Sequence, residues 1–237
     1  MAMLSIVPTP IGNLQDVTIR AIRTLLASDY ILTEEVVRTK NFIDHLKENY
    51  RDLVEVIKDP KIIQFNEFQE NTYLEKFTGL LSHDANISLT SSAGTPLFSD
   101  PGFRLIQYAL EHNINIESLP GPTAAIPALT LSGMPQDQVL FLGFLPKKVT
   151  KKENILSALK EKRDKIFHPT VIIYESPHRI VETLGGILKV FGNIQISICR
   201  ELTKIHEEHI LLTVQEALEK YTTTQPKGEF VLTFSLT

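Results

Sequence analysis

Cysteine is almost missing from this chain. Cys199 is the single one in 237 residues, so no disulfide can close within the chain and no thiolate cluster can hold a metal. Standing in Ile196-Ser197-Ile198-Cys199, it reads as a buried strand thiol and not as a nucleophile. Histidine offers no metal centre either. His206 and His209 can share one helical face, but Glu207 and Glu208 between them do not reproduce the His-Glu-x-x-His zinc spacing, and no metal is expected. Long apolar runs are also absent. None approaches the roughly 18 residues that cross a bilayer, and Met1 to Pro10 lack the basic and apolar regions of a leader, so a cytoplasmic protein with no membrane partner is expected. Positive charge is not in excess. Lys and Arg number 24 against 28 Asp and Glu, a net charge of −4, so affinity for nucleic acid has to come from a local concentration of cations. There is no internal repeat and no low-complexity segment. What is present is an apolar fraction of 43%, enough for a full core, at a length that fits one large domain or two small ones.

Strand-like and helix-like segments alternate. Leu4 to Val7 is a first strand, running into the exposed loop Pro8-Thr9-Pro10-Ile11-Gly12-Asn13, whose prolines suit neither a central strand nor a helix start. Asp16 or Thr18 can cap a helix with Ile19, Ile22, Leu25 and Leu26 on one face. Asp29 to Thr33 is a second strand, ending in Glu34-Glu35-Val36-Val37-Arg38. Two acids and an arginine there suit either proton transfer or a solvated strand end closed by an ion pair. Phe42, Ile43 and Leu46 continue a helix, Lys61 to Phe65 is a strand, a polar loop holds Asn66, Glu67 and Gln69, and Thr72 to Leu81 is helical. Asn86 to Thr90 then feeds a loop of small residues, Ser91 to Gly102, whose glycines let a ligand approach the backbone and whose Pro101 opens a helix over Phe103 to Leu110. Ile114, Ile116 and Leu119 alternate as a half-buried strand before Pro120-Gly121-Pro122-Thr123-Ala124-Ala125. Such alternation predicts a mainly parallel sheet with covering helices, which binds ligands at the carboxyl ends of its strands. The loops at Pro8, Ser91 and Pro120 all lie at such ends.

Gly133-Met134-Pro135-Gln136 is turn-like and Val139 to Leu142 begins a new strand. The chain is therefore divided into residues 1–120, an α/β domain with a mainly parallel sheet, and 121–237, an α/β domain with a mixed sheet. Between Lys147 and Lys165 eight basic residues face three acids, about +5 on an acidic protein. With Ile155, Leu156 and Leu159 as an apolar stripe, the segment reads as a basic amphipathic helix preceded by a basic loop, either a solvated face or a surface for phosphate. Thr170 to Tyr174 is a buried strand ending in Glu175-Ser176-Pro177-His178-Arg179, where Ser176 can cap a helix that Pro177 starts. Ile180, Val181, Leu184, Ile187, Leu188 and Phe191 form that helix's core face. Ile194 to Cys199 is a strand, Thr213 can cap a short helix through Lys220, and Phe230 to Phe234 is the last strand.

In their order, Pro8-Thr9-Pro10-Ile11-Gly12-Asn13-Leu14, Ala93-Gly94-Thr95-Pro96-Leu97, Asp100-Pro101-Gly102, Leu119-Pro120-Gly121-Pro122, Gly143-Phe144-Leu145-Pro146, Tyr174 to Arg179, Arg200-Glu201-Leu202-Thr203-Lys204 and Lys227-Gly228-Glu229 resemble a known family. It is the tetrapyrrole methylase-like class of S-adenosylmethionine-dependent methyltransferases, and within it the subfamily that modifies small-subunit ribosomal RNA. The resemblance covers nearly the whole chain. It implies two α/β domains of the tetrapyrrole methylase type with the cofactor in the cleft between them, usually in a homodimer. The implied reaction is 2′-O-methylation of a cytidine in small-subunit rRNA, with the rRNA or the ribosomal subunit as partner. The cofactor, S-adenosylmethionine, is implied to meet Pro8, Thr9, Pro10, Gly12, Ser92, Gly94, Thr95, Pro96, Phe98, Thr123 and Ala124, with Tyr174, Glu201 and Gly228 approaching from the second domain. Lys147, Lys148, Lys151, Lys152 and Arg179 are implied to meet RNA.

Methyl transfer from a sulfonium is an in-line displacement that depends mainly on positioning, with a carboxylate within reach of the hydroxyl as base. Glu35 and Glu175, at strand ends, are the candidates, with Arg38 beside the first; each carboxylate has a helix-capping or salt-bridging role as its alternative. Two stretches depart from the family pattern. Where relatives carry Glu-Asp-Thr-Arg this chain has Glu34-Glu35-Val36-Val37-Arg38, and where they carry Ser-Asp-Ala-Gly it has Ser91-Ser92-Ala93-Gly94. A small tetrapyrrole as acceptor, or a non-catalytic relative that binds the cofactor or the ribosome, are the alternative functions.

Overall fold

The computed structural model describes residues 3–66, 79–80, 85–224 and 226–236. The chain divides into two units, Met1–Thr123 and Ala124–Thr237.

In the first unit, short β-branched runs form β1 (Met3–Ile6), β2 (Tyr30–Thr33), β3 (Lys61–Gln64), β4 (Asn86–Leu89) and β5 (Asn115–Ser118). They pair in the order β3-β2-β4-β1-β5, every pair parallel. Both faces are covered, as a parallel sheet requires. Leu4, Leu32, Ile87 and Leu89 pack with Leu105 and Ala109 of α3 (Phe103–Glu111). Val7, Ile31 and Leu119 pack with α1 (Ile19–Ala27) and with Ile43 and Leu46 of α2 (Val36–Asn49). Neighbouring Ile31 and Leu32 thus serve opposite faces, the period of two expected of a strand.

Thr18 caps α1, its hydroxyl accepting the Ala21 N–H at 3.0 Å, while Asp16 lies in a preceding 3-10 turn. Ile19 stays exposed and Ala21 joins Ile22, Leu25 and Leu26 in the core. Pro101 does not open α3. The helix starts behind Gly102, whose φ of 127° no proline-led helical turn has. The loop after β1 is not exposed throughout, since Pro8, Thr9, Pro10 and Ile11 are buried and exposure begins at Gly12. Of the helix expected over Thr72 to Leu81, only Gly79 and Leu80 are described, and both are helical; Glu67 and Gln69 lie outside the described residues.

The second unit contains α4 (Ala125–Leu131), β6 (Val139–Phe144), α5 (Val149–Lys162), β7 (Thr170–Glu175), α6 (Ile180–Phe191), β8 (Gln195–Arg200), β9 (Glu208–Thr213), α7 (Val214–Thr223) and β10 (Phe230–Ser235). Its sheet runs β6-β7-β10-β8-β9, parallel only between β6 and β7. Leu156 of α5, Ile180, Leu184 and Ile187 of α6, and Val214 and Ala217 of α7 close over one sheet face. Thr213 caps α7 in a reciprocal box with Glu216. Ser176 caps nothing: a turn over residues 177–179 separates it from α6, whose N-cap is Arg179. His206 and His209 share no helix, because residue 206 is in a turn and His209 is on β9, with Nε2 3.2 Å from Ser197 Oγ. Burial pushes the Cys199 thiol up to about 11, with Glu207 adding to the effect, which makes it unreactive at neutral pH. Among the described residues no cluster of three His, Cys, Asp or Glu can hold a metal ion, and no helix is long and apolar enough to cross a membrane.

Candidate functional site

Three loops at the carboxyl end of the first sheet are pinned to one another. Backbone hydrogen bonds join Thr9 N–H to the Gly94 carbonyl at 2.9 Å and Gly94 N–H to the Thr9 carbonyl at 3.0 Å. Short hydroxyl side chains complete the tie: Thr9 Oγ1 donates to the Ser91 carbonyl at 3.2 Å, Ser91 Oγ to the Gly94 carbonyl at 2.9 Å, and Thr95 Oγ1 to the Pro122 carbonyl at 2.9 Å. Two glycines make the approach possible. Gly94 has φ of 87°, and a Cβ there would lie 3.2 Å from Ile11 Cγ2. A Cβ on Gly121 would lie 2.5 Å from Pro8 Cβ, closer than side chains ever sit. The loops after β1, β4 and β5 therefore form one backbone-lined surface.

That surface has the features of a ligand cradle. Ser92 Oγ is buried and has no hydrogen-bond partner among the described residues, a loss that a ligand acceptor would make good. Leu97 and Ser99 hold left-handed backbone, φ 71° and 73°, a conformation costing about 1–3 kcal/mol each outside glycine and characteristic of ligand loops. Phe98 between them is partly exposed and Pro96 is buried. These residues fit the S-adenosylmethionine cradle expected of the segment: glycines where a Cβ would fill space, and an orphaned polar atom beside them.

Asp100, which the sequence shows only as part of the Asp100-Pro101-Gly102 motif, gains a role of its own from its surroundings. Burial, and then the charge of Glu34, push its carboxyl up to about 6 against the opposing hydrogen bond with Ser91. The single Ser91 proton is already directed to Gly94, so the protonated acid is the form that suits this loop. Because the folded value lies above the ordinary one, the contribution of Asp100 to stability is complete near pH 4 and falls as pH rises through 6. Solvent screening at a partly exposed site holds the loss to about 1 kcal/mol. Asp100→Asn is expected to raise the melting temperature at pH 8 by about 2–4 °C and to leave it unchanged at pH 4, as read by calorimetry at both pH values.

Glu35 is exposed at the N-cap of α2 and its carboxylate bonds to no backbone N–H there. Arg38, one turn on, is exposed too, and the ion pair considered for this strand end is not formed. Glu175 is a different case. It is 1% exposed; one oxygen accepts the Ser176 N–H at 2.8 Å and the other the Thr183 hydroxyl at 2.5 Å, with Arg179 Nε 3.6 Å away. Both oxygens are occupied, so Glu175 takes the helix-closing role that was its alternative and holds the chain between β7 and α6.

Two of the expected RNA contacts are likewise corrected. Arg179 turns inward and donates to the carbonyls of Leu145 at 2.5 Å and Pro146 at 3.1 Å. Lys152 is 1% exposed, its ammonium bonded to Glu182 at 2.5 Å and Thr183 at 2.9 Å. Lys152 falls four residues before Leu156 and so shares its inward stripe, a spacing visible in the sequence but hidden by the surrounding lysines. Lys147, Lys148 and Lys151 are exposed.

The second unit's candidates are tied into its own frame. The Tyr174 hydroxyl accepts the Ala125 N–H at 3.1 Å just beyond Thr123 and Ala124, and its ring stands edge-on to Phe141. Glu201 Oε1 accepts from Lys204 Nζ and from the Glu229 N–H, each at 2.9 Å. Burial alone would raise its carboxyl; those two bonds reverse this and hold it below the usual range. Gly228, φ 95°, passes so close that a Cβ would lie 2.5 Å from Glu201 Cγ.

Known proteins share the sequence and the fold of this chain. Residues 3–218 match the model of the tetrapyrrole (corrin/porphyrin) methylases. The ribosomal RNA small subunit methyltransferase I of Halalkalibacterium halodurans is 38% identical over 229 residues, 97% of this chain and 74% of that protein. The protein of the same name from Thermotoga maritima is 35% identical over 235 residues, 99% of each chain. A solved structure, uroporphyrin-III C-methyl transferase from Thermus thermophilus complexed with S-adenyl homocysteine, shares the fold with a TM-score of 0.63 and 15% identity, over 98% of this chain and 97% of that one.

Proposed function

The chain belongs to the tetrapyrrole (corrin/porphyrin) methylases, and on that footing we propose that it transfers a methyl group from S-adenosylmethionine to the 2′-hydroxyl of a cytidine in small-subunit ribosomal RNA. The observation that carries this reading is identity of 35–38% along almost the whole chain to enzymes named for that RNA. The pinned three-loop surface supports it physically.

When bound, S-adenosylmethionine supplies an activated methyl group on sulfur. The chain's task is then orientation: the backbone around Thr9, Gly94 and Pro122 offers a rigid platform, since its own hydrogen bonds are already made. The Ser92 hydroxyl is the polar group left to meet a ligand. Glu35 is the exposed one of the two proposed bases, free to accept the proton that leaves the ribose hydroxyl. A homodimer in the cytoplasm belongs to the same reading.

Lys147, Lys148 and Lys151 are proposed to neutralise RNA phosphates from the start of α5. Labelled methyl is expected to pass from saturating S-adenosylmethionine to small ribosomal subunits that lack the modification; no incorporation overturns the reading. Reversing the three lysines to glutamate is expected to raise KM for the subunit by about tenfold or more and to flatten the slope of log affinity against log salt by about 2. A small tetrapyrrole acceptor would leave the rate indifferent to those charges.

A further inference from the structure

Helix α2 has a second face that the core does not use. Thr39, Ile43 and Leu46 are buried. Arg38, Asn41, Phe42 and His45 follow the i, i+3, i+4, i+7 spacing of another face and line a recess of about 250 Å³, together with Ser92 and the loop that carries Thr9 and Gly12.

The chemistry of the recess is one-sided. Its lining contains a guanidinium and no carboxylate. Among the described residues Arg38 and Asn41 make no hydrogen bond or ion pair, and Ser92 Oγ is buried without a partner. Asn49 fixes the tautomer of His45. Its Nδ2 donates to the His45 carbonyl at 2.9 Å and is therefore the amide nitrogen that faces Nδ1 at 3.1 Å, so Nδ1 accepts and Nε2 carries the hydrogen. Guanidinium, amide, imidazole N–H and hydroxyl thus surround a space with one aromatic ring, that of Phe42. Such a set recognises a compact anion rich in acceptors, with guanidinium suited to phosphate. The volume is below the range of roughly 300–1,000 Å³ that encloses a whole drug-sized ligand, which matches part of a nucleotide and is too small for a tetrapyrrole.

We propose that this recess receives the acceptor nucleotide of the RNA, its phosphate on Arg38 and its sugar edge toward Asn41 and His45, while Ser92 at its border stays with the cofactor loop. The assignment rests on the reading of the chain as an rRNA methyltransferase and makes Arg38 a substrate-binding group in place of a partner of Glu35. It also separates two kinds of RNA contact: the lysines of α5 take any phosphate, whereas the recess takes the one nucleotide to be modified.

The test combines methyl-transfer kinetics on unmodified small subunits with calorimetric titration of S-adenosylhomocysteine. Arg38→Ala is expected to raise KM for the subunit about 10- to 100-fold, with cofactor affinity within twofold of wild type; Arg38→Lys recovers part of the loss and Asn41→Ala costs about 3- to 10-fold. Arg38 is exposed, so these variants keep the fold. Unchanged kinetics in Arg38→Ala overturn the proposal. So does an equal loss of S-adenosylhomocysteine affinity, which would give the recess to the cofactor. If the wild type transfers no methyl group at all, the function fails separately, and the recess is judged by fluorescence anisotropy with a labelled single-stranded cytidine-containing oligonucleotide. An Arg38→Ala defect of about tenfold there upholds nucleotide binding, and equal binding by both proteins overturns it.

Discussion

Replacing Gly121 by alanine is expected to reduce single-turnover methyl transfer by about a hundredfold or more while leaving the protein folded. The added methyl would stand 2.5 Å from Pro8 Cβ and 2.8 Å from its Cγ, and a buried proline ring has no rotamer into which to retreat. One of the two loops must move. Either movement reaches the site, because Thr95 is tied to Pro122 and Thr9 to Gly94. In-line transfer is sensitive to displacements on the order of 1 Å, so the loss falls on the chemical step and on cofactor binding and not on overall stability. Gly185→Ala is the control: nothing lies within 4 Å of a Cβ there, and the change is expected to stabilise α6 by about 1 kcal/mol with activity retained. Circular dichroism, S-adenosylhomocysteine titration and quench-flow on both variants separate the two outcomes. Full activity in Gly121→Ala would show that the closeness of these loops has no bearing on the reaction.

Lys152→Ala is expected to destabilise the second unit by about 3 kcal/mol and to leave the RNA affinity of the folded protein unchanged, the reverse of Lys151→Ala. Lys152 is 1% exposed, and its stem lies in the stripe that contains Leu156. Its loss removes packing, opens a cavity and takes the ammonium donor from the Thr183 hydroxyl, which goes on donating to buried Glu175. The Glu182 side chain is 46% exposed and regains water, which keeps the cost below that of breaking a wholly buried pair. Lys152→Met keeps the stem's volume and is expected to cost about 1 kcal/mol. Urea unfolding measures the stabilities, and filter binding to small-subunit RNA at fixed salt measures affinity. A fall in RNA affinity equal to that of Lys151→Ala would return Lys152 to the binding surface.

Lys152 also illustrates what the sequence conceals. Periodicity makes the helices legible where an apolar stripe stands alone, as in Ile22, Leu25 and Leu26, and hydroxyl caps are legible at Thr18 and Thr213 because helices follow directly. Ser176 misleads, since Pro177 behind it leads a turn before α6 begins. In α5 the inward stripe includes a lysine, and a run of like charges hides the one that turns in. Glu175 misleads for a related reason: a polar residue closing an apolar strand looks available until burial and two hydrogen bonds account for it. The order of the loop motifs points to the ligand loops, but what holds them together does not show in a linear reading. Thr9 with Gly94, and Pro8 with Gly121, are pairs of local conformations that meet only through the sheet. Asn41 and His45 escape notice because α2 is read for the face it buries.

The position of β1 at the inside of the first sheet has a temporal consequence. Its residues pair only with β4 and β5, Met3 lying opposite Asn86 on one side and Asn115 on the other. During synthesis the first strand therefore emerges with no partner to hold it, and at about 5–20 residues per second the wait for β4 lasts several seconds. The Met3–Ile6 segment and the Pro8 loop behind it are left for that interval to chaperones or to chance encounters with other chains. The three-loop surface cannot close before the chain through Pro122 has been made, because Gly121 packs on Pro8 and Thr95 bonds to the Pro122 carbonyl.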